Sequence, residues 1–282
     1  MHILIIGCGY VGKRFAEQAL ERDCQVSALT RSHQRAEELA AMGIQPVIGN
    51  VLDVESLQGL PKADLCLYAV GYDRSASDDK RDVYVTGLRN VLTEIKETIP
   101  QLIYISSTSV YGESSGAWVN EKTDPQPANE SGEICLAAEQ VVREFYPIED
   151  ESRNGTILRL SGIYGPGRLI GRKEQLQTEK PISGNPNGWL NLIHIDDILQ
   201  ALFRVADSSS ESPLYLLSDE QPNRRIEFYS ELAKQLGTPP PVMPDKPTNN
   251  LGKRCDSSLI RKELDLKLLR PTIQEGIPAS IT

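Results

Sequence analysis

The chain has 282 residues, 39% of them hydrophobic and 24% charged, and carries a formal net charge of −9. That length is enough for a full α/β core with a smaller lobe, and the acidic balance excludes the basic face that nucleic-acid phosphates require. No window approaches the roughly 18 consecutive apolar residues of a membrane span, so a membrane protein is excluded and a cytoplasmic chain is expected.

In chain order, HILII at the start is too short and lacks the basic flank of a signal peptide, so it reads as a buried strand. Helix 12–22, strand QVSALT, helix 33–42, strand PVIG, helix 53–59 and strand ADLCLYAV follow, then helix 82–98, strand QLIYIS, helix 131–145 and strand GTILRL. Near-continuous apolar strands alternating with helices predict a doubly wound, Rossmann-like parallel sheet. Beyond residue 165 the pattern loosens into GPGRLIG and SGNPNG. There NLIHIDDILQALFRVA forms an element capped by Asp196 or Asp197, a helix covers 224–236, TPPPVMPDKP connects as a loop, and SSLIRKEL closes with a short helix. The division expected is a dinucleotide-binding domain over 1–165 and a smaller substrate lobe over 166–282, partly interleaved with the first.

The five cysteines (Cys8, Cys24, Cys66, Cys135, Cys255) are odd in number and hold no C-x-x-C pair, which argues against a disulfide framework and a zinc knuckle. No His, Cys or carboxylate group has metal-ligand spacing, so no metal is expected.

GCGYVG at 7–12 is a G-x-G-x-x-G between a strand and a helix. In that setting Gly7 makes the turn, Gly9 admits a pyrophosphate, and Gly12 lets helix and strand approach, while the amides of Tyr10, Val11 and their neighbours face the phosphates. At the end of the second strand an NAD site places an acid, whereas this chain reads Thr30-Arg31, with Arg35 one turn on. A guanidinium there favours a 2′-phosphate, so NADP is the expected coenzyme. Asn50 and Val51 are placed to read the adenine edge, with Asp53 capping the next helix; Ala69, Val70, Gly71 and Ser106 complete the predicted coenzyme contacts at later strand ends.

Five segments together resemble the extended short-chain dehydrogenase/reductase family, the nucleotide-sugar epimerases and dehydratases, and especially its atypical members. They are GCGYVG, YISSTSVYG at 104–112, CLAAEQ at 135–140, RLSGIYGPGR at 159–168 and NLIHIDD at 191–197. The resemblance spans nearly the whole chain in the correct order. It implies an NAD(P)-binding fold, a small substrate domain and homodimerisation through helices 82–98 and 131–145. It also makes Ser107 the residue that holds the reacting oxygen.

The same resemblance exposes a departure. Laying the family's Y-x-x-x-K-x-x-x-E over SGEICLAAE puts Ser131 at the tyrosine and Cys135 at the lysine. Ser131 also reads as a helix cap, and Cys135 reads as a buried filler ahead of a nucleophile. Tyr84 and Gly162 stand where the family commonly has asparagines. Positioned proton transfer contributes about 10²- to 10⁴-fold, so the standard chemistry needs a surrogate.

Tyr111, in SVYG, is the first surrogate considered. Glu133 falls about 200° around the helix from Ser131 and points to solvent. Arg159, Arg168 and His194 are the substrate-binding candidates, with Arg172 and Lys173 nearby in sequence; the first reading of His194 is a hydrogen-bonded structural histidine, ahead of a proton shuttle. Two functions follow: an NADP-binding oxidoreductase or epimerase-like enzyme acting on a hydroxyl or carbonyl of a small polar substrate, a nucleotide sugar among them, or an NADP(H)-binding regulator that has lost turnover.

Overall fold

The computed structural model describes residues 1–73, 77–208 and 212–281. In chain order these form β1 (His2–Ile6), α1 (Tyr10–Glu21), β2 (Gln25–Thr30), α2 (His33–Ala41), β3 (Gln45–Ile48), α3 (Val54–Leu57), β4 (Leu65–Tyr68), α4 (Gly87–Ile95), β5 (Gln101–Ser107), β6 (Ser115–Val119), α5 (Glu130–Phe145) and β7 (Asn154–Leu160). There follow β8 (Gly162–Tyr164), α6 (Ile170–Gln177), β9 (Trp189–Leu190), β10 (Leu192–His194), α7 (Ile195–Asp207), β11 (Leu214–Leu217), β12 (Asn223–Arg224), α8 (Arg225–Leu236), β13 (Gly252–Cys255), α9 (Ser258–Glu263) and α10 (Ile273–Ile281).

A seven-stranded sheet takes the order β11-β7-β5-β4-β1-β2-β3, the doubly wound arrangement the alternation predicted. β1 pairs in parallel with both β2 and β4, and β4 with β5. The registers align Ile6 with Leu29 and Tyr68, and Tyr68 with Tyr104. Strand ends therefore come level, and the loops leaving β1, β4 and β5 open on one edge. Side chains are apolar on both faces because helices cover both. Leu4, Ile6, Tyr68 and Tyr104 pack with Leu88, Val91, Val141 and Val142 on one side, while Phe15 of α1 meets Phe203 of α7 at 4.6 Å between ring centres.

The contacts divide the chain into two compact units. The first gathers residues 1–107, 130–158 and 202–214, and the second 108–129, 159–201 and 215–282. The second unit thus takes in the SVYG segment and β6, which a single division near residue 165 assigned to the first. Its strands pair locally: β8 with β10 and β6 with β13 in parallel, β9 with β12 antiparallel. Its own core gathers Tyr164, Leu176, Phe228, Leu232, Ile273 and Ile277.

Several local expectations change. Helix 53–59 contracts to one turn at α3, where Asp53 occupies the cap position without a side-chain bond. Helix 82–98 becomes a π-helical turn, Asp82–Thr86, followed by α4. Asp196 and Asp197 lie inside the first turn of α7. The Asp197 carboxylate accepts amides from Leu269 and Arg270, which anchors the segment before α10. Ser131 also lies within its helix, which begins at Glu130, and its hydroxyl is engaged by a lysine rather than by a cap amide. β6, β13, α6 and α10 carry too weak a periodicity to have been read from sequence.

Candidate functional site

The first unit's strand-end edge is shaped by glycines. Gly7 adopts φ +95°, and a Cβ there would lie 2.5 Å from the Val70 nitrogen. A Cβ on Gly12 would meet the Gly7 carbonyl at 2.5 Å, so β1 and α1 approach only because both side chains are missing. At Gly9 no atom of the described residues other than its chain neighbours lies within 4 Å of that position, leaving the loop open in front of the helix. The first turn of α1 carries no acidic residue and no side-chain cap. The positive helix end and its amides thus face a space that a diphosphate fits. These observations fit a dinucleotide coenzyme.

Around the loop, Arg35 Nη2 donates to the Cys8 carbonyl at 3.2 Å, bringing a guanidinium onto the glycine loop from α2. Arg31, half-exposed at the end of β2, faces Asp73 at 3.7 Å and Asp78 at 3.5 Å. Thr30 closes β2, its hydroxyl accepting the Ser32 amide at 3.4 Å. Asn50 accepts the Leu52 amide on its side-chain oxygen and donates its own amide to Ser56, so the Asn50-Val51 turn is internally tied. The Val51 carbonyl accepts from Asn90 of α4. Ala69, Val70 and Gly71 leave β4 beside Gly7, with the Ala69 amide still bonded to the Ile6 carbonyl.

At the end of β5 the two serines differ. Ser106 is buried and donates to Glu139 Oε1 at 2.7 Å; Glu139, fully buried on α5, also receives Arg143 at 3.2 Å. Ser106 therefore ties strand to helix, a use different from the coenzyme contact expected of it. Ser107, the last residue of β5, is only partly buried. On α5, Cys135 is buried, Ser131 and Glu133 are exposed, and Ser131 Oγ accepts from Lys80 Nζ at 2.6 Å. Sequence spacing alone gave no signal for Lys80, because it lies 51 residues away.

The second unit contains a cleft of about 370 Å³. Tyr111, Glu113, Trp189, Arg225, Asn250 and Lys253 are among its lining residues. Lys253 Nζ donates to the Tyr111 carbonyl at 2.8 Å, and burial holds its amine below the ordinary lysine range. Arg225 Nε is buried without a hydrogen-bond partner among the described residues. The Glu113 carboxylate accepts the Ser115 hydroxyl and the Ser115 amide, which hold it below the usual carboxylate range. Among the described residues two cations thus line the cleft against one committed carboxylate, an arrangement that favours an anionic, hydrogen-bonding ligand.

The sequence candidates in this unit fall elsewhere. Arg159, 1% exposed, donates to the Tyr111 hydroxyl at 2.6 Å. That hydroxyl in turn donates to the Asn120 carbonyl at 2.7 Å. Tyr111 is 3% exposed, so its phenol is a structural bridge and its proton is committed; the surrogate acid/base role does not fit. His194 is buried, accepts the Asp196 amide on Nδ1, and is pushed toward its neutral form by burial. Arg168 is exposed, whereas Arg172 stacks its guanidinium 4.7 Å over Phe228. Arg225 and Lys253 were missed because they come from α8 and β13, segments with no recognisable spacing to the YGPG turn. Among the described residues, no group of three His, Cys, Asp or Glu is arranged to hold a metal ion.

Comparison with known proteins agrees with this geometry. Protein YeeZ of Escherichia coli strain K12 is 27% identical over 278 residues, covering 95% of this chain and 96% of that one. The structure of a putative NAD-dependent epimerase/dehydratase from Methylobacillus flagellatus superposes with a TM-score of 0.77 at 28% identity, over 98% of this chain and 95% of its own. UDP-glucuronic acid 4-epimerase from Bacillus cereus, in complex with UDP-glucuronic acid and NAD, shares the fold with a TM-score of 0.80 at 20% identity, over 99% and 98%. Residues 3–215 match the NAD dependent epimerase/dehydratase family. With a glycine loop built for a dinucleotide and this match across most of its length, the chain belongs to the NAD dependent epimerase/dehydratase family.

Proposed function

We propose that the protein is an NADP(H)-dependent oxidoreductase of the epimerase/dehydratase type, acting on a hydroxyl or carbonyl of a small anionic substrate, with nucleotide sugars the first class to test. The observation that carries the coenzyme choice is the arginine pair that follows β2, Arg31 directly after the strand and Arg35 in α2. Arg35 lies on the glycine loop through the Cys8 carbonyl, and Arg31 stands where an acid would hold a free ribose 2′-hydroxyl. The acids facing Arg31 are half-exposed and at 3.5–3.7 Å, so a dianionic 2′-phosphate competes well for it.

Gly7, Gly9 and Gly12 would hold the diphosphate with the amides of Tyr10 and Val11, and Ala69, Val70 and Gly71 would follow the chain of the coenzyme along the strand ends. When bound, the coenzyme supplies the hydride acceptor or donor. Ser107, at the end of β5, holds the reacting oxygen of the substrate by hydrogen bonding. Within the second unit, Arg225 and Lys253 give its cleft the charge to take an anionic ligand.

Calorimetry with NADP⁺ and NAD⁺ tests the coenzyme choice. Arg31→Asp is expected to weaken NADP⁺ about tenfold or more while changing NAD⁺ less than about twofold; equal losses defeat the assignment. Ser131 and Cys135 in place of the tyrosine and lysine support a second reading, a coenzyme-binding regulator without turnover. Hydride transfer from labelled NADPH to a panel of nucleotide sugars and simple carbonyls separates the two. Tight coenzyme binding with no transfer across the panel favours the regulator.

A further inference from the structure

Helix α5 lacks a cation of its own where the resemblance calls for one, yet a cation reaches the same helix from another part of the first unit. Lys80 precedes the π-helical turn Asp82–Thr86, and its ammonium lies 2.6 Å from Ser131 Oγ and 5.8 Å from the centre of the Tyr84 ring. The nearby carboxylates are engaged elsewhere. Asp78 faces Arg31, Asp79 accepts the amides of Arg81 and Asp82, and Asp82 accepts the Thr86 hydroxyl. Among the described residues Lys80 has no ion-pair partner, although three aspartates lie within two residues of it in sequence. A lysine that serves only solubility would settle on one of them; this one is held on a neutral serine. An ammonium has three donors, and the serine takes one.

The location follows from contacts within the same unit. The Tyr84 hydroxyl accepts the Tyr72 amide at 3.2 Å. Tyr72 follows Ala69–Gly71, the segment that leaves β4 against Gly7. An unbroken series of contacts therefore runs from the glycine loop through Val70, Tyr72 and Tyr84 to Lys80 and Ser131. With a diphosphate on the amides of α1, the adenosine half extends toward β2 and β3 and the other half toward β4 and β5, along the carboxyl ends of the strands. Lys80 stands on the β4 side.

We propose that Lys80, oriented by Ser131, is the cationic anchor for the ribose of the nicotinamide half: an ammonium delivered from the segment before α4 in place of one delivered from α5. The inference rests on the coenzyme reading above, and binding alone tests it without any knowledge of the substrate. The probes are NADP⁺, which has both halves, and 2′,5′-ADP, which has only the adenosine half. Lys80→Met is expected to weaken NADP⁺ about tenfold, the scale of one hydrogen bond to a charged group, and to change 2′,5′-ADP less than about twofold. Lys80→Arg restores most of the loss, and Ser131→Ala, which frees the ammonium without removing it, costs NADP⁺ about two- to fivefold.

Unchanged NADP⁺ affinity in Lys80→Met overturns the inference, as does an equal loss of both probes, which would mean general damage to the loop. A wild-type protein that binds neither NADP⁺ nor NAD⁺ refutes the coenzyme reading instead. If the wild type takes only NAD⁺, the same comparison is made with NAD⁺ and ADP.

Discussion

The two units build their candidate binding features by opposite means. In the first, the coenzyme edge is made from backbone: level strand ends, helix amides, and glycines whose missing side chains leave room. In the second, segments distant in sequence are tied to one another by side chains that capture backbone groups. Asn191 bonds both the Lys253 carbonyl and the Cys255 amide, Asp197 takes the Leu269 and Arg270 amides, Glu121 takes the Leu216 amide, and Ser257 donates to the Ser218 carbonyl. A backbone site fails when atoms are added to it. A side-chain site fails when charges or tethers are removed, and it is the easier of the two to retune for a new ligand.

The largest effect expected from this contrast is at Gly7. Gly7→Ala combines a left-handed φ with a 2.5 Å clash against the Val70 backbone. It should destabilise the protein by about 3 kcal/mol and abolish measurable coenzyme binding. Urea unfolding and calorimetry check both, and a variant of wild-type stability that still binds coenzyme would show that the edge is not set by backbone shape.

Next comes a tether. Burial pushes the Asp197 carboxyl up to about 6, against about 3.9 in an unfolded chain. Between these values the native state holds a proton that the unfolded state has released. This contribution to stability is complete below about pH 4, falls as pH rises to 6, and is gone above it. From pH 4 to pH 7 the wild type should therefore lose on the order of 2 kcal/mol relative to Asp197→Asn, whose amide does not titrate. Urea midpoints of the two proteins at both pH values measure the difference, and parallel pH profiles would remove Asp197 from the account.

The smallest effect is expected from charge in the cleft. Arg225→Met should weaken an anionic ligand, with UDP as the first probe, about tenfold and leave NADP⁺ binding unchanged. A loss of NADP⁺ affinity of the same size would show that the two features are not separable.

How much of this was legible in the residues follows from the range of each interaction. The alternating apolar strands, the G-x-G-x-x-G between strand and helix, and the arginines after β2 are local patterns, because a strand or a helix start is specified by neighbours in the chain. They carried the parallel sheet, the coenzyme edge and the family. The absence of tyrosine and lysine from α5 could be read in the same way. Where the other side chains would go could not. Ser106 turned to a buried glutamate, Tyr111 became a bridge between Arg159 and Asn120, and Lys80 crossed 51 residues to Ser131. Arg225 and Lys253 met in one cleft from α8 and β13. Such pairings depend on which segments the packed core brings within a few ångströms, and hydrogen bonding of that range leaves no period in the chain.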